Sequence, residues 1–314
     1  MTAREYWATQ VREHLDARGH VFRYVHVRHP GATGLVVHFS AFFGEWGDAR
    51  ANRRAFQGHF HRLRLLGDVA SHDWLFLCDE YGADKNGTYY TGERGDFFVE
   101  RGIGDLIELI MADSGYACSA MVTMGSSMGA TAALKFGLML DVKGIVAVSP
   151  HIDLDICAER QGRWQHVAFI CPDGDPLAPH NHPHTRQIRT LIDGRTEADP
   201  PPRLFMQACR DDAGVYTEQV EPLCTAWRRA GGMVTLDARR KGGHTSEYAS
   251  RSLLIDAVDR LFDDHPIDVT RYQHARAFRG HSVAAGILRS ARPALGRLLR
   301  TLRLRPRPGG ARGA

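Results

Sequence analysis

Short apolar runs alternate along the chain with stretches of helical periodicity. Most of the apolar runs lack polar alternation, which is typical of strands that are buried on both faces. They predict strands over residues 21–27, 35–39, 74–78, 121–124, 145–149, 166–171, 203–209 and 233–237. Helices are predicted near residues 50–66, 101–114, 128–140, 184–193, 215–230 and 247–263. This alternation predicts an α/β fold, in which a mostly parallel central sheet is flanked by helices.

The two ends of the pattern delimit a central domain. Residues 1–20 are charged and amphipathic, so they predict an N-terminal helix rather than a secretory signal, which needs an apolar core. The short link RHPGATG predicts an antiparallel hairpin of the first two strands at one edge of the sheet. The segment DDHP closes the last predicted helix, so the domain is expected to cover residues 21–268. Residues 269–314 are then a C-terminal extension.

The composition is that of a globular protein with a large core. The chain has 314 residues, of which 43% are hydrophobic and 24% charged, so folding needs neither disulfides nor a structural metal. No apolar run reaches the roughly 18 residues that a membrane-spanning helix needs. The six cysteines are scattered without a CxxC pair, which indicates a reducing compartment and predicts a cytoplasmic location.

The net charge of +4 hides an uneven distribution of charge. The last 46 residues contain eleven arginines and no acidic residue. Residues 1–268 therefore hold 29 of the 40 basic residues against all 36 acidic ones, a net charge of −7. This acidic body gives no reason to expect a nucleic-acid partner.

Residues 282–303 form a basic amphipathic pattern. At helical spacing the aliphatic residues share one half of the wheel: Val283, Ile287, Ala291, Leu295, Leu298, Leu299 and Leu302. The arginines share the other half: Arg289, Arg292, Arg297, Arg300 and Arg303. Such a helix, kinked at Pro293, suits the anionic inner surface of a membrane. Docking on a protein partner or on the body, and a disordered tail, remain alternatives, and residues 304–314 have a disordered composition.

The segment Gly125-Ser126-Ser127-Met128-Gly129 fits the pattern G-x-S-x-G. It follows the apolar run MVTM and precedes the helical sequence ATAALKFGLML, which is the strand–turn–helix setting of a nucleophile elbow. The two glycines leave room for close backbones, and Ser127 would project at a helix N-terminus, where developing negative charge is favoured. Ser127 is therefore the predicted nucleophile. A glycine-rich turn that packs or binds a phosphate is the alternative.

A serine nucleophile needs a base, and the base needs an orienting acid. His244 lies in a glycine-containing loop between the last strand and the last helix, from which it can reach back over the sheet edge. The preceding strand ends in Arg-Asp-Asp, and the spacing favours Asp211 as the acid, with Asp212 as the alternative or as a helix cap. Asp173 and Asp175 are further alternative acids.

An oxyanion hole needs two backbone N–H donors. The first is expected from Met128, directly after the nucleophile, and the second from the loop after an early strand. In that loop, HFSAFFG, the donor is expected to be Ala41. The alternative is a plain turn at the end of a strand.

Together these features resemble the α/β-hydrolase superfamily over about residues 20–265. The resemblance lies in the elbow at Ser127, the acid at Asp211 or Asp212, His244 and the order of strands and helices. The segments LVVHFSAFFG, GSSMGATAALKFG, PHNHPHTRQI and QACRDDAGVYTEQV are also similar to serine-dependent proteins of capsular polysaccharide biosynthesis and accessory secretion systems. That likeness implies acyl or ester chemistry on surface glycans.

Two polar loops are candidates for contact with a substrate. The cluster HNHPH contains His180, His182 and His184, and it is interpreted as a substrate-lining loop after strand 166–171. A metal site there lacks a second ligand motif, and a solvated loop is the other alternative. The segment that includes Tyr89 interleaves polar groups with tyrosines, which suits a sugar-like ligand and equally suits an ordinary polar loop.

The sequence therefore predicts a serine-dependent hydrolase or acyltransferase. Its substrate would be an ester or acyl group of a small molecule or a glycan. This chemistry requires neither a metal nor an organic cofactor. The alternative is a noncatalytic scaffold or a glycan-binding component of a polysaccharide biosynthesis or secretion complex.

Overall fold

The computed structural model describes residues 3–42, 59–162, 164–172, 183–212 and 214–273. Its strands are β1 (Arg12–Leu15), β2 (Val21–Val27), β3 (Leu35–Phe39), β4 (Asp73–Leu77), β5 (Met121–Ser126), β6 (Gly144–Val148), β7 (Arg203–Cys209) and β8 (Val234–Arg239). They form one sheet in the order β1-β2-β4-β3-β5-β6-β7-β8. In this order, β1 pairs with β2 and β2 pairs with β4 in antiparallel fashion. All later neighbours, from β4·β3 to β7·β8, are parallel. The predicted mostly parallel α/β architecture is confirmed.

Helices cover both faces of this sheet. The helices are α1 (Ala3–Thr9), α2 (Leu63–Leu66), α3 (Phe98–Ser114), α4 (Met128–Leu140), α5 (Leu154–Gln161), α6 (Trp164–Ile170), α7 (Gln187–Asp193), α8 (Glu221–Arg229), α9 (Arg251–Phe262) and α10 (Thr270–Gln273). Residues of α3, α4, α7 and α8 pack against one face, and residues of α1, α2 and α9 against the other. Successive side chains of a strand point to opposite faces, so Val37 joins the first core and Val36 the second. This double burial explains why the strands read as nearly unbroken apolar runs.

The predicted hairpin of β2 and β3 is wrong. β2 pairs with β1 and β4, so that β4 lies between β2 and β3. The link of residues 28–34 can step past β4 because two strand spacings amount to only about 10 Å. Asp73 on β4 holds this link, since its N–H donates to the Gly34 oxygen at 2.9 Å and its Oδ1 accepts from the His29 N–H at 2.7 Å.

The predicted helix over residues 1–20 is only partly helical. Helix α1 covers Ala3–Thr9, and strand β1 follows it. A turn then joins β1 to β2: Gly19 has a φ of 81°, and the Asp16 carboxylate accepts from the His20 N–H at 2.8 Å. The amphipathic sequence of residues 1–20 therefore forms a short helix and the first strand of an edge hairpin, not one continuous helix.

The predicted strand over residues 166–171 is wrong, because this run lies in helix α6. The position beside β6 is taken by β7, which leaves no place for another strand there. Within α6, Val167 and Ile170 are buried while Phe169 is 40% exposed. A short apolar run of this kind cannot be told from a buried helix by periodicity alone.

The body extends past the predicted boundary at residue 268. Residues 1–273 form one compact unit, in which Ile267 is buried and Arg239 Nη2 donates to the Tyr272 oxygen at 3.2 Å. Residues 274–314 lie outside the described residues, and so does the amphipathic pattern at 282–303. In the part of the chain that the structure describes, no helix has the length and apolar character needed to span a bilayer.

Candidate active site

Ser127 occupies a strained turn between β5 and α4. Its backbone has a φ of 53° and a ψ of −122°, a conformation that L-residues rarely adopt. The Ser127 N–H donates to the Val148 oxygen on β6 at 2.9 Å, while its carbonyl accepts from Ala130 and Thr131 in the first turn of α4. These bonds fix the side chain at the carboxyl edge of the central parallel strands, where ligands bind in open α/β sheets.

The two glycines of the elbow are required by close backbone contacts. A Cβ atom on Gly125 would lie 2.1 Å from the Gly129 oxygen, and a Cβ atom on Gly129 would lie 2.1 Å from the Phe39 oxygen on β3. Both neighbours are backbone atoms, so they cannot rotate away as a side chain would. The expectation that small residues flank the nucleophile therefore has a direct steric cause.

Gly129→Ala is expected to destabilise the protein by roughly 1–3 kcal/mol, the usual cost of overpacking a tight contact. It should also lower activity, because α4 must move away from β3 and take Ser127 with it. Thermal unfolding followed by circular dichroism measures the first effect. Gly104→Ala on α3 is the matched control: its Cβ would meet nothing within 4 Å, and alanine is the better helix former. A Gly129→Ala protein as stable as the Gly104→Ala protein would contradict this account.

His244 lies within hydrogen-bond distance of Ser127. Its Nε2 is 2.8 Å from the Ser127 Oγ. Its Nδ1 is 2.8 Å from the Oδ2 of Asp212, whose side chain is 3% exposed. The chain reaches this position after β8 through Gly242 and Gly243, which have φ angles of 148° and 61°. Serine, imidazole and carboxylate thus form a continuous hydrogen-bonded row.

The acid beside His244 is Asp212, whereas the sequence spacing favoured Asp211. The N–H of Asp212 donates to the Cys209 oxygen at 3.1 Å, a tight turn that accompanies an inward Asp212 and an exposed Asp211. The carboxylate of Asp211 instead accepts from the N–H of Gly243 at 2.8 Å and of Gly242 at 3.1 Å. Asp211 therefore holds the loop that carries His244. The alternatives Asp173 and Asp175 lie outside the described residues.

A cavity of about 290 Å³, here called the nucleophile cavity, opens beside Ser127 and His244. Its lining residues are Ala41, Phe42, His59, His61, Ser126, Ser127, Ser149, His244, Thr245 and Ser246. Ala41 thus lies on the same cavity as the serine. Because Ser127 caps α4, the N–H of Met128 has no acceptor within the helix. Of the two residues predicted to form an oxyanion hole, Met128 is adjacent to Ser127 in the chain and Ala41 lines the same cavity.

A buried carboxylate and a buried tyrosine shape the wall next to Ala41. The Oδ2 of Asp79 accepts from the N–H groups of Thr88 at 2.5 Å and Tyr90 at 2.8 Å, although burial raises the pKa of this carboxyl. The hydroxyl of Tyr90 in turn accepts from the Ser40 N–H at 2.7 Å and donates to the Leu77 oxygen at 3.1 Å. The residue directly before Ala41 is thereby fixed to the sheet.

Tyr89 does not line the nucleophile cavity, contrary to its predicted contact with a substrate. Its side chain is 1% exposed, and its hydroxyl lies 3.3 Å from the Nδ1 of His151. His151 follows β6 and stacks on His244, with the ring centroids 4.2 Å apart and the planes 8° from parallel. The His151 carbonyl accepts from Thr131 on α4 at 2.7 Å. Sequence reasoning missed His151, which restrains the ring of His244 from the side.

Ser149 is a second residue that sequence reasoning missed. It has a φ of 48° and lies directly after β6. Its hydroxyl donates to the carbonyl of Thr245 at 2.6 Å, and its N–H donates to the Gln207 oxygen at 2.7 Å. The end of β6 is thus tied to β7 and to the loop of His244. A serine at the end of a strand matches no sequence motif, so Ser149 could not be identified from the sequence. Its positive φ, which marks it as unusual, is visible only in the structure.

The histidine cluster is only partly described. His180 and His182 lie outside the described residues. His184 stacks on Phe97 at a centroid distance of 4.5 Å, and its Nε2 lies 3.4 Å from the Gly95 oxygen. His184 is not among the described residues that line the nucleophile cavity, contrary to its predicted contact with a substrate. Within the described ranges, no group of three or more His, Cys, Asp or Glu side chains is arranged to hold a metal ion.

The fold has counterparts among solved structures. No protein-family model and no curated protein sequence matches the chain. The capsule O-acetyltransferase of Neisseria meningitidis serogroup A matches with a TM-score of 0.58 at 16% identity, over 77% of this chain and 91% of that chain. The Glycosylation Associate Protein (Gap123) complex of Streptococcus agalactiae matches with a TM-score of 0.57 at 16% identity, over 81% of this chain and 45% of that chain.

An acylaminoacyl peptidase of Pyrococcus horikoshii matches with a TM-score of 0.55 at 12% identity, over 84% of this chain and 44% of that chain. This chain therefore spans less than half of the Gap123 and peptidase chains. Likeness at such low identity bears on the fold alone. With the eight-stranded sheet and its flanking helices, it establishes that the chain has the α/β-hydrolase fold.

Proposed function

We propose that this protein is a serine-dependent hydrolase or acyltransferase with Ser127, His244 and Asp212 as its catalytic residues. The observation that carries the proposal is the pair of 2.8 Å contacts, from Ser127 Oγ to His244 Nε2 and from His244 Nδ1 to Asp212 Oδ2. Nucleophile, base and orienting acid in this row are the arrangement by which a serine hydroxyl is activated.

In the proposed reaction His244 accepts the hydroxyl proton of Ser127 at Nε2 while Oγ attacks the acyl carbonyl carbon. The N–H groups of Met128 and Ala41 would stabilise the negative charge on the carbonyl oxygen. His244 then returns the proton to the leaving group, and an acyl-enzyme remains on Ser127. Water or an acceptor hydroxyl then attacks this ester while His244 takes its proton. The bond from Ser127 Oγ to the acyl carbon breaks, and His244 returns the proton to Oγ, which releases the acyl group and restores the enzyme.

The proposed substrate class is an ester or acyl group, with a glycan hydroxyl as acceptor in the case of transfer. The support is the opening of the nucleophile cavity beside Ser127 and the structural likeness to a capsule O-acetyltransferase. Wild-type protein supplied with 4-nitrophenyl acetate, with and without an unacetylated capsular polysaccharide, separates the two reactions. Acetate in both samples indicates hydrolysis, and acetylated polysaccharide in the second indicates transfer. If the wild-type protein releases no more 4-nitrophenol than a Ser127→Ala control, neither hydrolysis nor transfer is supported.

A noncatalytic scaffold is the second candidate function, and the likeness to a glycosylation-associated complex favours it. A fluorophosphonate probe discriminates between the two candidates because it reacts with activated serines. Labelling that disappears in the Ser127→Ala variant supports the enzyme. Unlabelled wild-type protein that binds glycans supports the scaffold.

The basic extension is proposed to attach the protein to an anionic membrane surface while the body carries out the chemistry. The support is the charge split at residue 268 and the arginine-bearing half of the 282–303 pattern. Each arginine near an anionic surface contributes on the order of 1 kcal/mol, so the attachment should be reversible and sensitive to salt. The proposed location is therefore the cytoplasm, at the inner face of the membrane.

A chain that ends at Gln273 should lose binding to anionic liposomes and keep its hydrolysis of a small ester. Gln273 is the preferred end because Tyr272 still bonds to Arg239. Liposome co-sedimentation at low and high salt measures the binding. Two results would contradict the proposal: a full-length chain that ignores anionic liposomes at low salt, or a truncated chain that unfolds.

A further inference from the structure

Arg62 carries a positive charge next to the nucleophile cavity, although it does not line that cavity itself. Its Nη2 donates to the carbonyl oxygen of Ser246 at 3.1 Å, and Ser246 lines that cavity. Arg62 also lines an adjoining cavity of about 210 Å³, and the two cavities share His59 and His61. Burial lowers the pKa of Arg62 to about 10, so the guanidinium remains charged at neutral pH.

Among the residues that the structure describes, no carboxylate neutralises this charge, and burial alone shifts the pKa of Arg62. Elsewhere the chain pairs its part-buried arginines with acids: Arg189 with Asp153, Arg195 with Asp141, and Arg239 with Asp237. Arg62 is half-buried, and a charge that is partly removed from water without a counterion is unfavourable in a folded protein. Its presence beside a candidate active site therefore points to a ligand that supplies the missing negative charge.

Uncharged polar groups lie close to the guanidinium. Burial, and then the charge of Arg62, holds the pKa of His61 well below its usual value, so this ring is neutral at pH 7. Burial, and then the same charge, lowers the pKa of His38 to about 3. In the described part of the chain, the Nδ1 of His61 has no hydrogen-bond partner. A ring nitrogen of His61 is therefore available to a ligand on the wall that both cavities share.

Ser126 adds another unused polar group. Its side chain is 1% exposed, and its Oγ has no hydrogen-bond partner among the described residues. It also lines the nucleophile cavity. Buried polar atoms are nearly always paired, so an unpaired hydroxyl in a cavity indicates a site for a polar ligand.

We propose that Arg62 and His61 form an anion subsite that binds a carboxylate or phosphate group of the substrate beside Ser127. A guanidinium carries five N–H donors in a planar fork that matches either group, and Ser246 occupies one of them. The inference rests on the proposed function, because the subsite would orient an anionic acyl donor or acceptor toward the nucleophile. It narrows the substrate class to one that carries a negative charge near the reacting acyl group.

Binding without turnover tests the subsite directly. Full-length Ser127→Ala protein is titrated by calorimetry with inorganic phosphate and, separately, with malonate. At least one anion should bind, and a further Arg62→Met substitution should weaken its binding roughly 10–100-fold, as the loss of a charge-assisted hydrogen bond does. The anion that binds identifies the group. Arg228→Met on α8, which removes an exposed arginine, should bind as the parent does. If neither anion binds the parent, or if Arg62→Met binds undiminished, the proposal is overturned.

Two further measurements separate a ligand site from a structural role. Arg62→Met should unfold at the same temperature or higher, because it removes a half-buried charge that has no counterion. A clearly lower unfolding temperature would mark Arg62 as structural and overturn the proposal. In the otherwise wild-type chain, the kcat/KM of mono-4-nitrophenyl glutarate relative to 4-nitrophenyl butyrate should fall roughly 10–100-fold in Arg62→Met and less in Arg62→Lys. An unchanged ratio would also overturn it. If wild-type protein binds the anion but resists fluorophosphonate, the proposed function fails while the subsite stands.

Discussion

Replacing Ser127 with alanine is expected to reduce ester hydrolysis or acyl transfer by on the order of 10⁵–10⁶-fold, as the loss of an activated serine does in other enzymes. The hydroxyl is the group that would form the acyl-enzyme, and His244 cannot replace it. Folding should be preserved, because the side chain is part-exposed and its Oγ bonds to His244 at the cavity. Steady-state kinetics and thermal unfolding, measured on the same preparation, check both expectations.

Ser126→Ala is the matched control, since it removes a hydroxyl from the neighbouring residue of the same elbow. The Ser126 hydroxyl lines the nucleophile cavity but takes no part in the proposed proton transfers, so the loss of at most one neutral hydrogen bond to a ligand should cost no more than about tenfold in activity. Full activity in Ser127→Ala would exclude Ser127 as the nucleophile. A similarly large loss of activity in both variants would instead indicate that the substitutions had distorted the elbow.

Asp212→Asn is expected to lower kcat by roughly 10⁴-fold, as in serine proteases when the triad acid becomes an amide. The carboxylate accepts from Nδ1 of His244 and so keeps Nε2 free to accept the proton of Ser127. An amide can donate to Nδ1 and favour the opposite tautomer. The side chain is 3% exposed, so water cannot readily replace the lost acceptor.

Asp211→Asn provides the comparison within the same turn. Its carboxylate bonds to the N–H groups of Gly242 and Gly243, and asparagine retains one acceptor oxygen for them. We expect a loss of no more than about tenfold, together with a small decrease in stability. The kcat values of the two variants, measured side by side, settle the ranking. A larger loss in Asp211→Asn would make Asp211 the orienting acid.

Much of the fold could be predicted because its signals are local. Strands 21–27, 35–39 and 203–209 have the predicted bounds, since an apolar run between turn residues marks its own ends. The run at 166–171 could not be assigned this way, because its helical state depends on β7 occupying the place beside β6. The link after β2 likewise gave no sign that β4, which comes later in the chain, would be inserted before β3.

Some residues of the candidate site could likewise be predicted from local sequence, and others could not. Ser127 could be found from its neighbours, because the steric demand for Gly125 and Gly129 lies within the elbow itself. The choice between Asp211 and Asp212 depends on which side chain a tight turn directs inward, which the spacing does not encode. His151 carries no motif at all. Its role follows from a stacking contact with His244 across two loops.

A covalent intermediate at Ser127 is the central requirement of the proposed mechanism. Wild-type protein mixed briefly with 4-nitrophenyl acetate, quenched in acid and digested, is examined by peptide mass spectrometry. We predict one added acetyl group on the peptide that contains Ser127, and none on that peptide in Ser127→Ala. An unmodified Ser127 peptide during active turnover, or acetylation confined to another residue, would contradict the account.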